Sequence, residues 1–289
     1  MLILFFLLLF ILLLFPEAAA QGSKNGLILW ATVLVPSLLP FSILTSLIRQ
    51  YMRGKPYHYL LLAAGILSGY PIGAKIAGEL YADGSLSKKR ALFFAGFTNN
   101  PSPMFILFFV TGNTLHMDSG KYLFYFLVLL SSLLGSLCFS LFTARRCSNT
   151  KKPVTRCAKE APCYLPFSKV IDAEIASSAL LLIKIGGYIM LFSIFAALLQ
   201  KLPIVPYYWK LLLGSVLEIT TGNAMISHAP VAANIKIILS LAATSFGGLS
   251  AAAQTNSVLQ NTGLSLYHYL IMKLLSGLCA LLLGVVLFW

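Results

Sequence analysis

Apolar runs long enough to cross a bilayer recur from one end of this 289-residue chain to the other, which leaves little freedom in what it can fold into. A helix rises 1.5 Å per residue, so about 20 apolar residues cover the hydrocarbon. Candidate segments lie at residues 1–15, 26–48, 59–81, 91–112 and 122–143, and then at 170–199, 207–226, 235–256 and 264–289. Inside a bilayer the backbone has no water to bond, so such segments must be helical or close into a barrel, and their length fits helices. Only 10% of the residues are charged, where an ordinary soluble domain carries about 25%. The expected fold is all-α: a polytopic helical membrane protein with discontinuous or re-entrant helices. Nine segments is an upper bound on crossings, because an interrupted segment can turn back.

The formal charge of +13 lies mostly between the apolar runs. That pattern suits loops beside lipid headgroups and excludes nucleic acid as the expected partner. A basic stretch, 145–169, carries Arg145, Arg146, Lys151, Lys152, Arg156, Lys159 and Lys169, with Pro153, Pro162 and Pro166 opposing one continuous helix. It divides the chain into an N-terminal membrane half, 1–144 (repeat 1), and a C-terminal membrane half, 170–289 (repeat 2). The positive-inside rule places the divider in the cytoplasm. If all five preceding segments cross, Lys88, Lys89 and Arg90 agree with that placement, whereas Arg49, Arg53 and Lys55 do not. Either an early segment is re-entrant or the rule is locally outweighed. The first run and the alanines at 18–20 resemble a signal peptide without its basic start, so a retained first span is expected.

Each half contains polar interruptions in otherwise apolar helices, and these are the candidate functional elements. Ser68, Gly69, Tyr70, Pro71 and Gly73 break one segment, since proline lacks the helical donor and glycine permits unusual backbone. Lys75 follows by little more than a turn, either to attract an acidic substrate or to pair with Glu218 or Glu79. Thr98, Asn99, Asn100, Pro101, Ser102 and Pro103 form a second break, readable as a path-lining element or as an interfacial hairpin. In the second half, Glu218 is the only acidic residue after Glu174 and is followed by Thr220, Thr221 and Asn223. It is the candidate ion-coupling group for Na+ or H+, with an inert internal pair as the alternative. Ser245, Gly247, Gly248 and Gln254 mark the last break. The stretch at 35–47 is paired with 214–226, and 67–75 with 244–256, while the 98–103 break has no evident counterpart. Five crossings in the first half would invert the second, so an inverted repeat around a midplane site is expected.

No Walker loop, HExxH, nucleotide fingerprint or serine-hydrolase signature is present, so no catalytic residue, cofactor or metal is assigned. Cys147, Cys157 and Cys163 lack the short spacing of a zinc site.

The motifs LVPSLLPF (34–41), SGYPIGAK (68–75), FTNNPSPMF (97–105), LEITTG (217–222) and SFGGLSAAAQ (245–254) together resemble the YlbJ/SpoVV-like sporulation integral membrane proteins, within the nucleoside-recognition or gate-domain group. The resemblance implies a fold distantly similar to concentrative nucleoside transporters, in a bacterial cell membrane or outer forespore membrane. It implies movement of dipicolinate, a planar aromatic dianion, during spore maturation. On that reading Ser68, Gly69, Tyr70, Lys75, Asn99, Asn100 and Ser102 form one side of the substrate path, and Thr220, Thr221, Asn223, Ser245 and Gln254 the other. Partners would be the small anionic substrate, the bilayer, and a second copy or other sporulation membrane proteins. The competing functions are a non-transporting scaffold of the spore envelope and a carrier of a nucleoside-like solute.

Overall fold

The structure is a computed structural model and describes residues 2–51, 58–143, 167–260 and 262–289. The basic divider therefore lies outside the described residues, apart from 167–169, which begin a helix. All regular structure among the described residues is helical. Among the described residues, four helices are long and apolar enough to cross a membrane, or five if one bent pair counts as a single span. The chain is an all-α polytopic integral membrane protein.

Two antiparallel helix pairs form the frame. The first joins α2 (Pro16–Leu29) to α8 (Phe167–Lys201). The sequence at 16–25 is too polar to be read as part of a span, yet it is helical because its small residues let it lie on α8. A Cβ on Gly22 would stand 2.8 Å from the Ile194 Cα, and one on Gly26 would stand 2.9 Å from the Met190 Cα. Trp30 fixes the register by donating from Nε1 to the Leu182 carbonyl at 2.8 Å. The chain then passes through a π-helical turn, Trp30–Leu34, into α3 (Val35–Tyr51) with a bend of 51°. Pro36 has no N–H to give the Thr32 carbonyl, which explains why regular helix fails here. Before this pair, α1 (Leu2–Leu14) has 13 residues, about 20 Å, short of the hydrocarbon thickness.

The second frame pair is α7 (Lys121–Thr143) with α13 (Leu266–Phe288). Gly135 faces Ser276, with room for a Cβ only 2.5 Å from its nitrogen, while the Phe139 ring meets His268 at 5.5 Å, so the two helices run in opposite directions. Outward faces such as Leu141, Phe142, Leu282 and Val286 are exposed, as lipid contact demands.

Two helical hairpins are held within this frame, and here the segment boundaries read from sequence need correction. The run at 59–81 is two 11-residue helices, α4 (His58–Ser68) and α5 (Ile72–Ala82), folded back on each other. Gly65 and Gly73 face across the pair, where a Cβ on Gly65 would lie 2.9 Å from the Gly73 Cα. Each arm is about 16 Å long, half the hydrocarbon depth, so the hairpin enters and leaves by one face. The run at 207–226 likewise folds back as α9 (Tyr207–Leu217) and α10 (Ile219–Ser227), with Gly222 against Ser215 and Gly214 against Met225.

A broken helix follows each hairpin. The first is α6 (Lys88–Thr98), a non-helical break at 99–102 and a largely π-helical half, Phe105–Thr114; the second is α11 (Ala233–Phe246) and α12 (Gly248–Leu259). The order hairpin, broken helix, long helix thus occurs twice. It pairs the SGYPIG tip with the LEITTG tip, and the NNPSP break with the FGGL break. That replaces the pairing read from sequence, in which the 98–103 break had no counterpart. The earlier pairing matched polarity, whereas the correspondence lies in the order of elements.

Candidate functional site

The two hairpin tips and the two helix breaks converge in the interior. Hairpin 1 (α4–α5) sits on the first break: a Cβ on Gly69 would lie 2.8 Å from the Ser102 nitrogen, and one on Gly73 would lie 2.5 Å from the Thr98 carbonyl oxygen. Hairpin 2 (α9–α10) sits on the second, with a Gly248 Cβ position 3.4 Å from both the Leu217 carbonyl oxygen and the Ile219 nitrogen. The hydroxyl of Tyr70, at the tip of hairpin 1, crosses to abut Gly247 in the second break. Gly247 and Gly248 have φ of 88° and 81°, a left-handed backbone that glycine adopts without strain. This turn is what lets α12 begin beside the tip of hairpin 2.

Between these elements lies a cavity of about 40 Å³, room for about three waters. Its lining includes apolar residues, Leu29, Leu34, Leu38, Phe105, Ile189 and Ile219. It also includes polar ones, Tyr70, Ser102, Glu218, Thr220, Ser250 and Gln254. Glu218 is the sole charged residue in this lining. Its carboxylate accepts from the Thr220 N–H at 3.0 Å, the Thr221 N–H at 2.8 Å and the Thr220 hydroxyl. It therefore caps the start of α10, where unpaired donors and the positive helix end offset a buried negative charge. Ser102 caps the π-helical half-helix by accepting from the Phe105 N–H at 3.2 Å. The Tyr70 hydroxyl is buried and has no hydrogen-bond partner among the described residues.

The structure divides the sequence-derived site residues into three groups. Tyr70, Ser102, Glu218, Thr220 and Gln254 line the cavity. Ser68, Asn99, Asn100, Asn223 and Ser245 are buried nearby, and all but Ser68 bond across to neighbouring helices. Ser68 donates to the Ala64 carbonyl. Asn99 donates to Thr255 and Tyr269, each at 2.9 Å, and accepts from the Ala74 N–H at 3.3 Å, so one amide joins hairpin 1, α12 and α13. Asn100 donates to the Phe97 carbonyl and accepts from Ser132 at 2.6 Å. Asn223 donates to the Ile219 carbonyl and to Thr244, and Ser245 accepts from Ser131. Gly69 and Thr221 serve through their backbone, the former as the close approach to Ser102 and the latter as a donor to Glu218.

Lys75 forms the third group and corrects an expectation. It lines a separate, smaller cleft with Ser42, Thr45, Ser46, Ile72, Ile76 and Glu79, away from the cavity that holds Glu218. One turn beyond the hairpin tip, α5 has already carried its side chain toward α3.

Sequence reasoning missed Lys273. It lies in the middle of α13, is only 1% exposed, and donates to the Asn99 carbonyl at 3.3 Å and to Asn100 Oδ1 at 2.8 Å. Its ammonium stands 5.9 Å from the centre of the Tyr70 ring. The signal was available, since an isolated lysine inside a 26-residue apolar run is costly unless something inside receives it.

No protein-family model matches the chain, and no solved structure matches it. It is 28% identical to the sporulation integral membrane protein YlbJ of Bacillus subtilis (strain 168), over 92% of this chain and 76% of that one.

Proposed function

We propose, from the premise that the chain is a YlbJ-like sporulation integral membrane protein, that it carries a small aromatic dicarboxylate through the cavity between the hairpin tips. The substrate implied by the family resemblance is dipicolinate, crossing the outer forespore membrane. One observation carries the reading: the half-helix that begins at Gly248 has no side-chain cap and brings Ser250 and Ala251 of its first turn to the cavity, and such a helix N-terminus offers donors and positive potential to an anion. The apolar lining residues suit the flat face of a ring, and the polar hydroxyls and amide suit its carboxylates.

Two features of the cavity shape the mechanism. Its volume of about 40 Å³ is small for an aromatic ring, so on this reading transport requires the hairpins to part from the breaks. An ionised Glu218 would repel a dianion, since two like unit charges 4 Å apart repel by about 4 kcal/mol at an intermediate dielectric. A dianion therefore shares the cavity with Glu218 only when a proton or Na+ accompanies it there. That makes Glu218 the coupling group. Its being the sole charged lining residue also favours a second reading, an uncharged nucleoside-like solute whose hydroxyls donate to the carboxylate.

Thermal unfolding of the purified protein in detergent separates these readings. Dipicolinate should raise Tm, with a dependence on pH or Na+ that Glu218→Gln abolishes. Stabilisation by nucleosides and not by dipicolinate would favour the second reading. Stabilisation by neither would leave the scaffold role as the better account.

A further inference from the structure

The Lys273 ammonium is buried across from the first break, yet its hydrogen-bond partners are uncharged oxygens. An ammonium has three donors. Two go to the Asn99 carbonyl and Asn100 Oδ1, and the Tyr70 ring faces the same group. The Asn99 carbonyl belongs to the C-terminal end of α6, where helix carbonyls lack partners and the helix is negative. Asn100 Oδ1 is further oriented by the Ser132 hydroxyl. Carbonyl oxygens at an interrupted helix and an aromatic face are the groups that receive monovalent cations inside membranes.

We infer that Lys273 is a tethered cation, filling with its ammonium a cation site built from the end of α6, the Asn100 amide and the face of Tyr70. It is a positioning residue. It reaches from α13 in the second half to the break and hairpin tip of the first, and it holds Tyr70 from behind while the same side chain lines the cavity. An inorganic ion at this site could leave whenever hairpin 1 moved, whereas a side chain stays. On the transport reading, with which this inference is consistent but on which its test does not depend, coupling then falls to Glu218 alone.

The experiment removes the ammonium and offers the site a free one. Thermal unfolding of wild type, Lys273→Ala and, as a control at an exposed position, Lys169→Gln would be followed at fixed ionic strength in N-methylglucamine, Na+, K+ or methylammonium chloride. The wild type and control should respond alike to the cation, since an ion at Glu218 would act on both. Lys273→Ala should unfold several degrees lower in N-methylglucamine and recover more than half of the loss, saturably, in methylammonium or one of the small cations. Lys273→Ser, whose hydroxyl completes an ion's coordination, gives the same readout if the alanine variant does not fold. Unchanged stability of Lys273→Ala, a loss that no cation restores, or failure of both variants to fold even in methylammonium would each overturn the inference.

Discussion

The carboxylate of Glu218 rests on the first turn of α10, and the ammonium of Lys273 rests on the last carbonyls of α6. Each of these two side chains is thus met by a helix end of opposite polarity, which lowers the cost of holding its charged form away from water. The sequence pointed to Glu218 because it stands alone among apolar neighbours. It pointed to Lys75 because that residue follows a break, but proximity to a break along the chain does not fix the face on which a helical side chain emerges, and Lys75 lies in the cleft that holds Glu79, one of its two expected partners. Glu218→Gln should insert normally but lose the dependence of dipicolinate binding or flux on pH or Na+, and retention of that dependence would remove its coupling role. Tyr70 gives a second test at this scale. Its buried hydroxyl has no partner among the described residues, and an unsatisfied polar group costs about 1–3 kcal/mol. Tyr70→Phe should therefore raise unfolding stability by about 1 kcal/mol, while the stabilisation conferred by dipicolinate should shrink if that hydroxyl receives the ligand. A variant less stable than wild type would contradict this account of the hydroxyl.

At the scale of elements, interruptions were visible in the sequence and their geometry was not. Proline, glycine and paired amides show where a helix fails, but whether the chain turns back or continues depends on what packs across it. Gly65 meeting Gly73 makes 59–81 a hairpin, whereas 233–259, with two glycines of its own, continues as a broken span. The same dependence produced α2, whose polar sequence is helical because Gly22 and Gly26 lie against α8. Close backbone contact also predicts where bulk is forbidden. Gly73→Ala would press a methyl onto the Thr98 carbonyl and lift hairpin 1 from the break. The expected cost is about 1–3 kcal/mol of unfolding stability, with membrane insertion intact and dipicolinate binding weakened at least tenfold. Equal binding in the variant would show that seating the hairpin on the break is not required.

At the scale of the molecule, the hairpins resolve a conflict in the charge pattern. Because α4–α5 folds back, the end of α3 and the start of α6 open on one face, and the antiparallel packing of α6 on α7 brings Thr143 to that face as well. The positive-inside rule predicts that this is the cytoplasmic side, and Arg49 falls on it together with Lys88, Lys89 and Arg90, while Arg53 and Lys55 lie outside the described residues. Hairpin 2 then enters from the opposite face. In a cysteine-free background, Lys89→Cys and Lys169→Cys should react with an impermeant maleimide only from the cytoplasmic side, and Lys24→Cys and Lys201→Cys only from the other. Labelling of positions 89 and 169 from opposite sides would break this topology.

The central claim, that an aromatic dicarboxylate passes between the hairpin tips with Glu218 as coupling group, is tested most directly by flux. Purified protein in liposomes should take up labelled dipicolinate when a proton or Na+ gradient is imposed, and Glu218→Gln should uncouple entry from that gradient. Folded protein that moves no dipicolinate under either gradient, or that moves it identically with and without the Glu218 carboxylate, would contradict the account.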